Sequence, residues 1–373
     1  MENTDELEHD SEIFDRTLTT EEFSDLTESG QQPVPVTYGT QDFDLAGLVK
    51  RMNRGSMLIP QFGGQDERVT TAGFQRGFVW TKGQMDRFIE SLLLGYPVPG
   101  IFLVKQSADN RMLVLDGQQR LVTLQRFYNG IHNGKEFSLN NVGEQFKGLT
   151  YSSLDEALQY KLDDSFMQAT IVAADGSLEV NDAIYQIFER LNSGGTQLTP
   201  HEIRVALYAG DLIDYLENLN QDDSWRNLYG PRNARIRDQE LILRIVSIYL
   251  EEDNYTKPLK KFLNTFASAH RTPDESIRMA GQAFLGACKV LNEKVGPGAL
   301  RRPGGRQVNV AQTEAILIGL MKAVEANSVP SDLESRVEIL KNDANFVAAT
   351  TRFTADTDAV QMRLGLATEQ LRG

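Results

Sequence analysis

The feature that most restricts the fold of this chain is a change of rhythm within one short stretch. Met112-Leu113-Val114-Leu115 is an apolar run of strand length, and from Gln118 to about Tyr128 the apolar residues recur at helical spacing. Only Asp116-Gly117 separates the two patterns. Upstream, Ile101-Phe102-Leu103-Val104 is a second short apolar run, and Asp109-Asn110 is a hairpin-type turn between the two. A strand pair that feeds directly into a helix commits this part of the chain to a mixed α/β arrangement.

Other segments extend the pattern in both directions. Phe43, Leu45, Leu48, Val49 and Met52 recur as on a first amphipathic helix ending near Gly55, and Met57-Leu58-Ile59-Pro60 reads as a short strand stopped by proline. The polar, glycine-rich Gly63 to Arg68 reads as a loop. Met85, Phe88, Ile89, Leu92 and Leu93 line a helix closing at Gly95, followed by the rigid turn Tyr96-Pro97-Val98-Pro99-Gly100. Phe166 to Val172 predicts a strand and Asp182 to Leu191 a helix, broken by Ser193-Gly194-Gly195-Thr196. From Thr199 the pattern is helical almost to the end, with breaks at Gly230-Pro231, Thr272-Pro273, Gly296-Pro297-Gly298 and Pro303-Gly304-Gly305. The expected class is therefore α+β: an acidic tail over 1–36, a mixed α/β domain over 37–200 and an all-helical domain over 201–373.

Composition narrows the classes of function. The net charge is −14, but residues 1–30 hold eleven acids against the single base Arg16, which leaves −4 for the rest. The body can thus carry a local basic surface. The tail reads as disordered, either solubilising the protein or competing with DNA for a basic groove. No run of about 18 apolar residues exists, so no membrane-spanning segment or membrane partner is expected. Cys288 is the only cysteine, which excludes an intramolecular disulfide and a cysteine-rich zinc site. The opening MENTDELEHD is acidic where a secretory signal is basic, so the expected location is cytoplasmic.

Three segments carry chemistry. At the strand–DGQQR–helix junction the helix N-terminus presents unpaired N–H groups and the positive end of its dipole, which favours an anion. Gly117 lets the backbone turn tightly or approach a ligand; Gln118 and Gln119 both donate and accept; Arg120 offers a planar fork suited to phosphate. Asp116 can hold Mg²⁺ through water or orient an attacking water. The plainer alternative is that Asp116 is an N-cap and Arg120 a surface ion-pair partner. Gly73-Phe74-Gln75-Arg76-Gly77-Phe78-Val79-Trp80 mixes aromatics with a Gln-Arg pair, suited to stacking on a base or gripping a phosphate, or else to core packing. Phe188 to Gly195 is a helix end running into a glycine turn, and Thr199-Pro200-His201-Glu202 has the form of a capped helix start.

The ordered blocks FQRGFVW, YPVPGIFL, LVLDGQQRLVTL and IFERLNSGGTQLTPHEIR resemble the N-terminal domain of GmrSD-type modification-dependent restriction enzymes, a family of the ParB/sulfiredoxin-like superfamily. The resemblance spans roughly 40–210. It implies a nucleotide-dependent domain that hydrolyses NTPs, or senses DNA, and controls a nuclease. Carried over, Asp116, Gly117, Gln118, Gln119 and Arg120 would form the nucleotide site, with Asp116, Gln119 and Arg120 catalytic. Gln75 and Arg76 would lie nearby, and Arg190 and Asn192 would complete the pocket. The cofactors implied are an NTP and Mg²⁺, the latter at Asp116. The partners implied are DNA, modified DNA included, and a separate nuclease subunit. One departure is the intervening Gln61 to Ala72, which leaves the placement of Gln75 and Arg76 open.

Many relatives carry an HNH-type nuclease, which needs a histidine base and further metal ligands. The histidines here are His9, His132, His201 and His270, and His270-Arg271-Thr272-Pro273 only faintly echoes an HxxP signature. We read it as a helix-ending turn. The expected function is an NTP-binding, NTP-hydrolysing regulatory protein without its own nuclease; the alternative is a non-catalytic DNA-binding or partner-binding module of the same fold.

Overall fold

The computed structural model describes residues 35–59, 80–106, 110–175, 177–191, 199–233 and 235–373. The acidic tail, the loop from Gly63, Gln75, Arg76, Asp109, Asn192 and the Ser193–Thr196 break lie outside the described residues. The chain divides after residue 197 into two compact units.

The first unit is built on a five-stranded mixed sheet. Its described elements run β1 (Tyr38–Asp44), α1 (Leu45–Asn53), β2 (Met57–Leu58), α2 (Lys82–Leu94), β3 (Ile101–Gln106), β4 (Met112–Asp116), α3 (Gln118–Asn129), β5 (Ile131–His132), β6 (Lys135–Glu136), α4 (Glu156–Asp163), β7 (Phe166–Ala174) and α5 (Leu178–Leu191). The strand order is β1-β7-β3-β4-β2, with β5 and β6 a separate antiparallel pair. β3 runs antiparallel to β4 and parallel to β7, β1 antiparallel to β7, and β2 parallel to β4.

Alternation along the strands sorts the apolar residues to two faces. Ile101, Leu103, Val114, Met167 and Ala169 join the main core with Leu48, Leu92, Leu121, Leu124 and Phe127 from α1, α2 and α3. Val104, Leu113 and Val172 alternate with them, and α5 packs on β4 and β7 with Ile184, Tyr185 and Phe188 buried. Each such large apolar side chain contributes roughly 1.5–3 kcal/mol on burial. The helix ends are set by local chemistry: Thr81 and Gln84 form a capping box on α2, Asp155 caps α4 by accepting from Leu158 N at 2.8 Å, and Gly95 and Gly130 close α2 and α3.

The first helix differs from the sequence expectation. Phe43 does not belong to it; it is the one buried residue of β1, an edge strand otherwise exposed along its length. Asp44 ends that strand and caps α1 through the Gly47 amide. A strand with a single buried side chain gives no alternating apolar signal. Helix α5 likewise starts earlier than Asp182, where Ser177 Oγ accepts from Val180 N at 3.3 Å.

The second unit is helical: α6 (Pro200–Leu207), α7 (Asp211–Asn220), α8 (Asp223–Tyr229), α9 (Arg237–Glu251), α10 (Leu259–Ala269), α11 (Glu275–Lys294), α12 (Val310–Glu325), α13 (Leu333–Asn342), α14 (Ala344–Ala349) and α15 (Thr357–Leu371). The four proline-containing breaks read in the sequence all fall between α-helices, the one at Gly296-Pro297-Gly298 forming a short 3-10 turn over Pro297–Leu300. Helix α12 is buried along most of its length and packs against α9, α11 and α15. The core carries ion pairs: Glu314 is fully buried between Arg244 and Arg363, and Arg235 Nη2 donates to Glu202 Oε2 at 2.7 Å. Removing one partner of such a pair strands a buried charge, at a cost of roughly 3–5 kcal/mol.

Candidate functional site

The junction forms where β4 leaves the sheet. The ladder between β3 and β4 shifts register between Phe102 and Leu103, so Phe102 pairs with Asp116 while Leu103 pairs with Val114. Leu115 is the extra residue of this bulge, and bulges re-aim the side chains that follow them. Gly117 is the N-cap of α3, at φ 96° and ψ 7°. A Cβ there would lie 2.3 Å from Ile101 Cγ2, so glycine is required both by the left-handed backbone and by the space. Asp116 is thus not the cap of α3, and no side chain caps the helix. Its first amides are left to other partners, at the end where the dipole attracts an anion.

Arg120 turns back toward the sheet rather than out to solvent. Its Nη2 donates to Asp116 Oδ2 at 2.9 Å, and its Nη1 donates to Gly100 O at 2.9 Å and to Pro99 O. The Arg120 side chain is only 12% exposed, whereas that of Asp116 is 46% exposed. The pair is therefore no surface ion pair: the guanidinium fastens the Tyr96–Gly100 turn to the end of β4, and the carboxylate is the group that meets solvent. On its other side the turn lies close against β7, since a Cβ on Gly100 would meet Gln168 O at 2.7 Å. The clamp on Pro99 and Gly100 leaves only one sign in the sequence, the rigid Pro-Val-Pro-Gly turn in front of β3.

The two glutamines do different things. Gln118 Nε2 reaches back to Val114 O at a long 3.5 Å. Gln119 Oε1 accepts from the Trp80 amide at 3.2 Å, which ties the last residue of the FQRGFVW block to α3. Trp80 in turn packs edge-on against Phe88 of α2, with ring centroids 5.5 Å apart. Arg190 is exposed on the last turn of α5, and among the described residues it makes no hydrogen bond or ion pair. The structure thus assembles Asp116, Gly117, Gln118, Gln119 and Arg120 at one corner; it does not join Arg190 to them.

A metal at this corner would rest on Asp116, one of whose carboxylate oxygens is engaged by Arg120. Among the described residues no three acids, histidines or cysteines gather as a metal site. Mg²⁺ usually takes one or two carboxylates, with waters and substrate phosphates filling its octahedron. The single carboxylate therefore fits a Mg²⁺ that arrives with a nucleotide and does not fit a resident ion. His270, at the end of α10, lies 3.5 Å from Glu251 and 3.7 Å from Asp274 and is its C-cap, the helix-ending turn read in the sequence.

A mixed α/β domain with a strand–DGQQR–helix corner, in a chain that continues into a helical unit, defines the class. Residues 48–209 match the family model described as GmrSD restriction endonuclease, N-terminal domain, and this segment is a domain of that family. The match covers the YPVPGIFL, DGQQR and LNSGG blocks and ends just after α6. It places the chain among proteins of restriction or defence systems. Comparisons with curated proteins and with solved structures gave no match. No helix of the described residues is long and apolar enough to cross a membrane.

Proposed function

We propose that the corner at Asp116 binds the phosphates of a nucleoside triphosphate with Mg²⁺ and hydrolyses it, and that this turnover regulates action on DNA within a restriction system whose nuclease is a separate subunit. The observation that carries the reading is Gly117: it opens the N-terminus of α3 without a capping side chain, at a place where no Cβ fits. Phosphate oxygens take the place of the missing cap. Asp116, half exposed beside that opening, accepts the proton of a water as its oxygen bonds to the γ-phosphorus and the bond to the β-phosphate oxygen breaks. Mg²⁺ brought in with the nucleotide would rest on Asp116 and would neutralise charge on the phosphates. Arg120 acts through Asp116, holding its carboxylate in place. Gln119 anchors Trp80, the last residue of the FQRGFVW block, by accepting from its amide.

One observation favours a second reading, a DNA-binding or partner-binding module without turnover: Arg120 already spends three bonds on the protein itself. Phosphate release from each NTP with Mg²⁺, with and without DNA, separates the two. In the enzyme reading Asp116→Asn loses on the order of a hundredfold or more in rate. Arg120→Lys, which keeps the charge but not the fork, loses nearly as much as Arg120→Ala. Equal turnover in all four proteins marks a contaminant and removes the enzyme. No turnover in the wild type, with DNA still bound, selects the module.

A further inference from the structure

The helical unit carries a surface that the nucleotide reading does not use. Between Glu293 and Glu314 the chain holds Lys294, Arg301, Arg302 and Arg306 without an acid, and between Asp343 and Asp356 it holds Arg352 without one. In a protein of charge −14 this is a local reversal of sign. The fold brings the two stretches together. Arg301 pairs with Val308 as an isolated antiparallel bridge, and Gly305 N donates to Arg302 O at 2.8 Å across Pro303-Gly304, with Gly304 at φ 73°. Proline followed by a left-handed glycine is the signature of a type II turn. The small hairpin is then fastened on both sides. Arg301 donates to Leu228 O and Tyr229 O, both at 2.8 Å, at the end of α8; Arg302 donates to Thr350 O and Thr351 Oγ1, both at 2.8 Å, just after α14.

That second clamp sets the hairpin beside Arg352 and Phe353. Phe353 is 79% exposed and sits at φ 53°, a conformation a bulky residue rarely adopts. Its turn is nevertheless braced throughout: Asp356 N donates to Phe353 O at 2.9 Å, Tyr255 Oη to Ala355 O at 2.6 Å, and Arg363 to Thr354 O at 2.5 Å. Asp356 is paired with Lys257 at 3.1 Å. Among the described residues, none of Arg301, Arg302, Arg306 and Arg352 has a carboxylate partner, and Arg306 and Arg352 are exposed.

We propose that this Arg302–Arg306–Arg352–Phe353 surface binds double-stranded DNA, the arginines on backbone phosphates and the Phe353 ring against or between base steps. The exposed guanidinium forks of Arg306 and Arg352 match phosphate oxygens, Arg302 adds its charge while bracing the turn, and an exposed aromatic on that rigid turn serves as a wedge. The choice of DNA over an acidic protein segment rests on the restriction-system reading above; the surface itself lies outside the matched domain.

The test is anisotropy of a labelled duplex with the full chain and no nucleotide, over a range of salt. Arg306→Glu/Arg352→Glu removes no described side-chain hydrogen bond; it is expected to weaken binding on the order of tenfold or more and to reduce the slope of log K against log salt by about 2. Phe353→Ala is expected to lower affinity with the slope unchanged. Thermal melts of both variants confirm folding. Wild-type failure to bind duplex at low salt, or an unchanged affinity and slope in the charge-reversed variant, overturns the proposal. If DNA binding survives charge reversal while Asp116→Asn abolishes phosphate release, this surface falls and the nucleotide site stands. The reverse pattern separates them the other way.

Discussion

Gly117→Ala tests the corner most directly, because the structure gives both parts of its cost. Placing a residue with a Cβ at φ 96° costs roughly 1–2 kcal/mol from backbone sterics. Forcing that Cβ against Ile101 Cγ2, 2.3 Å away, adds roughly 1–3 kcal/mol of overpacking, since Ile101 is fully buried and cannot step aside. The stiffer unfolded chain offsets about 0.4–1 kcal/mol. The net expectation is a loss of about 1–5 kcal/mol, a large share of a domain stability of about 5–15 kcal/mol. The chain has two tryptophans, Trp80 in the mixed unit and Trp225 in the helical one, so urea unfolding in a Trp225→Phe background reports on the mixed unit alone. Ile101→Ala removes the obstructing methyl. The double variant is expected to be more stable than the sum of the singles by about 1–3 kcal/mol. Additivity to within about 0.5 kcal/mol would refute the steric argument, and a Gly117→Ala protein as stable as wild type would refute the conformational one.

His201 is fully buried, and burial followed by the charge of Arg204 holds its pKa well below 6.5; Nε2 lies 3.2 Å from Gln239 Oε1 and Nδ1 3.2 Å from Arg204 Nη1, which fits a neutral ring. Its stabilising contribution is present above 6.5 and lost as pH falls, so the helical unit should lose more stability between pH ~7 and ~5 than His201→Gln does; equal losses by Trp225 fluorescence refute this. The Tyr151 hydroxyl, pushed up to about 12 by burial and by its bond to Asp163, and Tyr128, raised by burial and the same carboxylate, contribute stability that is complete below 10 and lost as pH rises toward 12. Tyr151→Phe should flatten that alkaline loss in the Trp80 signal, and an unchanged slope would remove the assignment. Deleting residues 1–30, eleven acids and one base, should tighten duplex binding and steepen its salt dependence; unchanged affinity at low salt leaves the tail a solubiliser.

What was legible in the sequence was whatever local chemistry decides. Thr199-Pro200-His201-Glu202 announces a helix start and acts as one, with Thr199 and Glu202 forming a capping box and Pro200 in the first turn. The hairpin of β3 and β4 and its handover to α3 follow from apolar runs and one Asp-Gly. Elements stabilised by neighbours rather than by their own pattern were not legible. β1 exposes six of its seven residues and exists because β7 supplies its ladder. The same limit hid the ionic core of the helical unit. Glu202, Arg204, Arg235, Glu314 and Arg363 look in a sequence like solvated charge, yet all are buried and paired across 33 or more positions of chain. No periodicity rule sees a partner at that distance.

Arg120 shows why a motif alone leaves an arginine's role open. The guanidinium offers five donors in a fixed plane, and it goes wherever acceptors of matching geometry are nearest. At the corner those acceptors are the carbonyls of Pro99 and Gly100 and the carboxylate of Asp116. Arg301 is spent in the same way on Leu228, Tyr229 and Pro297 carbonyls. A sequence shows both residues as cations three positions after a glycine, and at Arg120 it invites a phosphate; the fold shows them as braces. What each brace leaves behind is the informative part. Arg120 leaves Asp116 half exposed at an uncapped helix start, and Arg301 with Arg302 leaves Arg306, Arg352 and Phe353 facing solvent. The chemistry of this chain therefore rests on the groups its arginines hold in place, and substitution of the brace and of the braced group should fail together at the corner but separately at the hairpin.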